Sequence, residues 1–116
     1  MVKLYGVPTC KQIQQSRKLF EREGIEYEFI NVKKHPLSLE KLREMIAQLG
    51  LAAMVNSKSP TYRNLGLKER AVPEDELIDI LLATQNMINR PLLEKGDRYW
   101  IAQKFDEAGM LDFLAE

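Results

Sequence analysis

The chain has 116 residues, 45% of them hydrophobic and 29% charged, a composition that predicts one folded domain over residues 1–116 and excludes a disordered chain. Its 17 Lys and Arg side chains balance 17 Asp and Glu side chains, so bulk charge gives no reason to expect nucleic acid or a membrane surface as a partner. A single cysteine excludes an internal disulfide, and no run approaches the roughly 18 apolar residues of a membrane helix, so we predict a cytoplasmic protein and expect a monomer.

The N-terminal third predicts a strand, a helix and a second strand. Residues 2–5 are apolar and β-prone, and this beginning lacks the long apolar stretch of a signal peptide. After a turn, Thr9 is a candidate N-cap for a helix from about Cys10 to just before Gly24. Residues 25–32 alternate in polarity, which predicts the second strand. This order is typical of a right-handed parallel βαβ unit.

The middle of the chain predicts helices and an ordered loop. Ser38 is expected to cap a helix that ends at about Leu49. Residues 56–66 are polar and rich in turn formers, and we predict a loop anchored in the core through Tyr62 and Leu65. A third helix is expected to follow this loop.

The last third predicts that helix, a β hairpin and a final helix. Pro73 and the acidic residues after it suit the positive end of the third helix. A strand is expected from Arg90, a tight turn at residues 95–97, and the returning strand over residues 98–103. Asp106 is a candidate N-cap for the final helix. The residues that we expect this helix to bury are Leu111 and Leu114.

These elements predict an α/β chain with a thioredoxin-like fold. A βαβ half is followed by a ββα half, and the helices between the halves form an insertion. The two N-terminal strands should pair in parallel and the C-terminal hairpin strands antiparallel. We therefore expect a four-stranded mixed sheet.

Cys10 is the candidate catalytic residue. It follows a strand and a turn at the beginning of a helix, where free N–H groups and the helix dipole stabilise a thiolate, and Lys11 adds positive charge. The alternative is a lone cysteine that only fills the core. Position 13 is Ile13 and not a second cysteine, so any redox cycle must use an outside thiol such as glutathione.

Five sequence segments, taken together and in order, resemble the ArsC/Spx family of arsenate-reductase-like proteins, and most of all its YffB-like members. They cover nearly the whole chain. These segments are Tyr5-Gly6-x-x-x-Cys10, Gly24-Ile25-x-Tyr27, Pro36-Leu37-Ser38-x-x-x-Leu42, Asn56 with Tyr62-Arg63-x-Leu65-Gly66-Leu67, and Ile88-Asn89-Arg90-Pro91-Leu92-Leu93.

The resemblance implies roles for individual residues. Cys10 would attack an oxyanion or a disulfide, Arg90 would bind the anion beside it, and a cis Pro91 would follow. Glutathione-coupled arsenate reductases of the family use three arginines. Of the other two positions, one falls at Asn56, with Lys58 as a nearby substitute, and the third falls near Gln103. Neither Asn nor Gln carries the charge of an arginine, which argues against efficient arsenate reduction.

The resulting hypothesis is a thiol-dependent reductase that acts on a disulfide or an oxyanion. Cys10 is its nucleophile, while Arg90, Asn56, Lys11 and Lys58 are candidates for binding the substrate. Glutathione or a glutaredoxin would reduce the enzyme, and no bound cofactor is expected. One Cys and one His make a metal site improbable. The alternative is a non-catalytic adaptor similar to the Spx regulators.

Overall fold

The computed structural model describes all residues, 1–116, as one α/β unit. The strands are β1 (Val2–Gly6), β2 (Tyr27–Asn31), β3 (Leu92–Lys95) and β4 (Arg98–Ile101). The helices are α1 (Lys11–Arg22), α2 (Leu39–Leu49), α3 (Leu51–Met54), α4 (Pro60–Asn64), α5 (Glu74–Ala83) and α6 (Glu107–Ala115). A short 3-10 helix, Gln85–Met87, lies between α5 and β3. None of the helices has the length and apolar character needed to cross a membrane.

The four strands form one mixed sheet in the order β2-β1-β3-β4. Strand β1 pairs in parallel with β2 and antiparallel with β3, and β3 and β4 form the hairpin. Helix α1 connects β1 to β2, and helices α2 to α5 are inserted between the two halves. This arrangement confirms the predicted thioredoxin-like fold with its helical insertion.

The sheet separates two apolar layers because alternate residues of β1 point to opposite faces. Leu4 belongs to the layer under α1 and α6, and Tyr5 belongs to the layer under the inserted helices. Fully buried members of the first layer include Ile13, Phe20, Leu93 and Met110. Fully buried members of the second include Leu42, Met45, Met54, Leu81 and Met87.

Two of the three predicted N-caps are confirmed. The Ser38 side chain accepts the Lys41 N–H at 3.1 Å, and Asp106 accepts the Gly109 N–H at 3.0 Å. The prediction for Thr9 was wrong: Thr9 is exposed, and Cys10 itself occupies the N-cap position of α1 with an extended backbone. No side chain caps this helix end.

The segment predicted as a loop over residues 56–66 contains helix α4, which Ser59 caps. Leu65 is 45% exposed, so its predicted anchoring in the core was wrong, whereas Leu67 is only 4% exposed. Gly66, with φ of 66°, directly follows the C-cap residue Leu65, so the chain turns between the exposed leucine and the buried one.

The buried face of α6 also differs from the prediction. Met110 and Phe113 are buried, and Leu111 and Leu114 are only half-buried. The predicted spacing was right, but the helix is rotated by one residue because Met110 packs against α1. Its sulfur lies 3.8 Å from the Ser16 hydroxyl.

Candidate active site

Strand pairing brings Cys10 and Arg90 to the same edge of the sheet. Tyr5, near the end of β1, lies opposite Leu92, the first residue of β3. Because these strands are antiparallel, the chain that leaves β1 and the chain that enters β3 meet at this edge. Cys10 lies on the first of these chains and Arg90 on the second. We call this edge of the sheet, with the segments 7–11, 32–36, 86–91 and 102–105 that border it, the thiol edge.

At Gly6, strand β1, the first turn of α1 and the side chain of Arg90 come into contact. A Cβ atom added to Gly6 would lie 2.5 Å from Cγ1 of Ile13, which is one helical turn beyond Cys10. The same atom would lie 3.8 Å from Cδ of Arg90. The first turn of α1 and the aliphatic stem of Arg90 therefore both pack directly on the backbone at the end of β1.

The turn that presents Cys10 is held by backbone and side-chain hydrogen bonds. The Cys10 N–H donates to the Val7 carbonyl at 3.2 Å, and the Gln14 side chain donates to the Pro8 carbonyl at 3.1 Å. The Cys10 carbonyl accepts the N–H groups of Ile13 and Gln14 at 3.1 and 3.0 Å. Cys10 is half-buried and contacts both apolar layers, so its backbone is fixed while part of its side chain reaches solvent.

Arg90 carries a positive charge with no counter-ion in the protein. It is half-buried, and no carboxylate lies within 4.0 Å of its guanidinium. Its Nη1 donates one long hydrogen bond, 3.4 Å, to the Asn86 carbonyl. The Arg90–Pro91 peptide bond is cis, the isomer that the resemblance implies. The remaining guanidinium N–H groups are therefore free to bind an anion.

Asn56 is linked to the strand entry, and Lys58 is not. The Asn56 N–H donates to the Met87 carbonyl at 2.7 Å, beside the bridge between Val55 and Ile88. The Asn56 side-chain carbonyl accepts the Lys58 N–H at 3.1 Å, which leaves the side-chain NH2 group available. Lys58 itself is exposed, and no hydrogen bond or ion pair joins its side chain to the thiol edge.

The thiol edge is positively charged although the chain is neutral. The four segments that border it contain no Asp or Glu, and none of their basic side chains forms a salt bridge. These basic residues are Lys11, Lys33, Lys34, Arg90 and Lys104. Unpaired cations on these segments favour an anionic reaction partner.

Sequence analysis named Cys10, Arg90 and Lys11 as candidate site residues and did not name Lys33, Lys34 or Lys104, which border the same edge of the sheet in the structure. Their place depends on the strand order, because the ends of parallel β1 and β2 and of β4 lie at the same edge. The predicted βαβ unit already places the end of β2 beside the end of β1. That signal alone points to the two lysines after β2.

The groups with displaced pKa values lie mostly elsewhere, between the sheet and α2. The Tyr5 hydroxyl donates to buried Glu94 at 2.6 Å, and burial together with this hydrogen bond raises the pKa of Tyr5 far above its usual range. Burial alone lowers the pKa of Lys41, but hydrogen bonds with Tyr99 and Glu94 outweigh it and raise that pKa. This buried cluster ties α2 to the sheet. No group of three potential metal ligands lies together in the chain.

The chain is similar to known proteins over most of its length. The model of the ArsC family matches residues 5–111. The global transcriptional regulator Spx of Listeria innocua is 25% identical over 109 residues, 92% of this chain and 83% of that protein. An arsenate reductase of Acidiphilium multivorum is 29% identical over 94 residues, 79% of this chain and 67% of the reductase.

A solved structure shares the whole architecture. The structure named YFFB protein superposes with a TM-score of 0.86 at 26% identity and covers 97% of each chain. The match of the family model begins at the end of β1 and extends into α6, so it includes Cys10, the inserted helices and Arg90. The chain therefore belongs to the ArsC family.

Proposed function

We propose that this protein is a thiol-dependent reductase in which Cys10 is the nucleophile and glutathione is the external reductant. The observation that carries the proposal is that Cys10 and Arg90 lie on segments that meet at the same edge of the sheet, with the Arg90 stem and the first turn of α1 both packed on Gly6. A thiolate and an anion-binding guanidinium at one site suit the attack on a disulfide that bears negative charge.

The proposed cycle has two thiol–disulfide exchange steps. In the first, the Cys10 thiolate attacks one sulfur of the substrate disulfide, a new S–S bond forms, and the other sulfur leaves as a thiolate. In the second, the thiolate of glutathione attacks the mixed disulfide, which releases Cys10 and yields a glutathione adduct of the first sulfur. A second glutathione completes the two-electron reduction of the substrate. Because the chain has no second cysteine, the reducing electrons come from outside.

A disulfide is the preferred substrate because a small oxyanion needs more fixed charge around the thiol. Arg90 is the only arginine of the thiol edge, and Asn56 offers a neutral amide. Each charged hydrogen bond is worth about 1.5–3 kcal/mol, so a site without two fixed guanidinium groups holds an arsenate poorly. Arsenate reduction is the second substrate class to be assayed.

The test is glutathione-dependent reduction of 3,3′-dithiodipropionate, a disulfide with two carboxylates, and of arsenate, followed through NADPH and glutathione reductase. We expect turnover of the disulfide, its loss in Cys10→Ser, and a drop of about tenfold or more in kcat/KM in Arg90→Gln. Arg43→Gln, which neutralises an exposed arginine on α2, is the matched control and should retain full activity. Equal turnover by the wild type and Cys10→Ser would refute the proposal.

The second candidate function is that of a regulator without catalytic activity, which the similarity to Spx favours. A regulator of this kind would bind a protein partner through the same fold, and Cys10 would be dispensable. Affinity capture with the wild type and Cys10→Ser separates the two candidates. A partner captured equally by both variants, together with absent disulfide turnover, would favour the regulator.

A further inference from the structure

Asn89 donates hydrogen bonds to three consecutive carbonyl groups at the end of helix α3. Its backbone N–H donates to the Met54 carbonyl at 2.8 Å. Its side-chain NH2 group donates to the carbonyls of Ala53 and Val55 at 2.9 and 3.2 Å. The last carbonyls of a helix have no partner within that helix, so Asn89 supplies the donors that α3 lacks. With 1% of its surface exposed, Asn89 is held by both its backbone and its side chain.

This connection ends one residue before Arg90. On the other side of Arg90, the Pro91 carbonyl accepts the Ala102 N–H at 3.1 Å. The backbone of Arg90 is therefore held between the end of α3 and the end of β4. The guanidinium itself has one long hydrogen bond, 3.4 Å, to the Asn86 carbonyl and forms no ion pair. Its position therefore depends on the backbone that carries it.

The side chain of Asn89 is the part of this connection that a substitution can remove. The neighbouring links join main-chain atoms: the Asn56 N–H donates to the Met87 carbonyl at 2.7 Å, and Val55 forms a β-bridge with Ile88. They hold the backbone two and three residues before Arg90. Only Asn89 adds side-chain hydrogen bonds to α3 directly beside Arg90.

We propose that Asn89 is a positioning residue of the Cys10 site, because its side chain ties α3 of the helical insertion to the backbone that carries the Arg90 guanidinium. This inference rests on the proposed function and adds the group that holds its anion-binding side chain in place. Without the Asn89 amide, two carbonyls of α3 lose their donor, and the chain entering β3 must rearrange. A displacement of about 1 Å in a positioning group can lower a rate by up to about a hundredfold.

The experiment measures the first step of the proposed cycle, without glutathione, with one anionic and one neutral disulfide. Dithiobis(2-nitrobenzoate) carries two carboxylates, and 4,4′-dithiodipyridine is uncharged at neutral pH. In both reactions the Cys10 thiolate attacks one sulfur, an S–S bond forms, and the other half of the disulfide leaves as a coloured thiol product. The ratio of the anionic to the neutral rate constant cancels any change in thiolate fraction and reports on the group that binds the anion.

We expect Arg90→Gln to lower this ratio by about tenfold and Asn89→Ala to lower it by about three- to tenfold. Because Asn89 acts through Arg90, adding Asn89→Ala to Arg90→Gln should lower the ratio no further. Asn89→Ser, a milder variant whose hydroxyl can donate one bond, should give a smaller loss. Gln48→Ala is the matched control and should leave the ratio unchanged. It also removes two side-chain hydrogen bonds to backbone groups, those of Asp97 and Tyr99, but at the opposite end of the hairpin.

The outcomes separate this inference from the proposed function. If Arg90→Gln lowers the ratio and neither variant of Asn89 does, the role of Asn89 is overturned and the proposed function stands. An equal slowing of both disulfides in the Asn89 variants, or a full further loss in the double variant, also overturns that role. An unchanged ratio in Arg90→Gln overturns the inference together with the anion-binding role of Arg90. A folded wild type whose Cys10 reacts with neither disulfide overturns the inference and the proposed function.

Discussion

Replacing Gly6 by Ala tests the packing that joins Cys10 to Arg90. The new Cβ would lie 2.5 Å from Ile13 Cγ1, at least 0.5 Å closer than real Cβ contacts of 3.0 Å or more. Ile13 has no exposed surface and no space to move into, so the first turn of α1 must shift. Gly6 does not have a positive φ, so alanine meets no backbone strain there and even restricts the unfolded chain.

The expected magnitude is the difference between these two effects. Overpacking a filled core destabilises the fold by about 1–3 kcal/mol, and the reduced conformational freedom of the unfolded chain stabilises it by about 0.4–1 kcal/mol. We therefore expect Gly6→Ala to lower the free energy of unfolding by about 1–2 kcal/mol, which is a fall in Tm of several degrees for a chain of this size. Because the helix start shifts, the rate of Cys10 alkylation should change as well.

A double-mutant cycle identifies the contact responsible. Ile13→Ala removes both Cγ1 and Cδ1, the two atoms closest to the added Cβ, and by itself costs about 2–5 kcal/mol. In the double variant we expect a favourable coupling energy of about 1 kcal/mol, measured by urea denaturation. Full additivity, or a Gly6→Ala variant as stable as the wild type, would refute the argument that Ile13 closes on the backbone of β1.

Three further predictions concern the supports of the fold. Burial and the hydrogen bond to Glu94 raise the pKa of Tyr5. The stability that its protonated hydroxyl contributes is therefore complete below pH 10 and is lost as the pH rises further. Tyr5→Phe should reduce the fall in the urea midpoint between pH 8 and 11.5. Asn89→Ala removes two hydrogen bonds to the carbonyls of Ala53 and Val55 and should cost about 1–3 kcal/mol, whereas exposed Asn86→Ala should cost less than about 0.5 kcal/mol. Ser38→Ala should cost about 1 kcal/mol and Thr9→Ala almost nothing in thermal unfolding, because only Ser38 caps a helix; equal losses would contradict this assignment.

The elements that could be predicted are those in which a local pattern decides the structure. Ser38 and Asp106 were found because an N-cap needs only one side chain and a helix that follows it. The order of strands and helices followed from the same local signals. The prediction of Thr9 as the N-cap of α1 was wrong, because the turn after β1 places Cys10, one residue later, at the helix boundary. A shift of one residue at a helix start is below what periodicity resolves.

The parts that could not be predicted depend on contacts between distant segments. Leu65 and Leu67 are both apolar, and the turn at Gly66 lies between the exposed one and the buried one. The exposed cations of the site present the same difficulty. Lys104 has no local pattern that separates it from any other surface lysine, and its place depends on the bonds of Ala102 and Phe105 to residues far along the chain.

Strand β1 joins the two halves of the sheet, because it pairs with one strand from each half. Its parallel partner β2 ends beside it and leads into the segment that contains Lys33, and its antiparallel partner β3 begins beside it, directly after Arg90 and Pro91. Because Gly6 has no side chain, the first turn of α1 and the stem of Arg90 both pack on this strand. The lysines of the bordering segments are exposed, because the sheet positions these segments without burying them. The pairing register of β1 therefore decides which charged segments share an edge of the sheet with Cys10, and the local sequence around each residue does not.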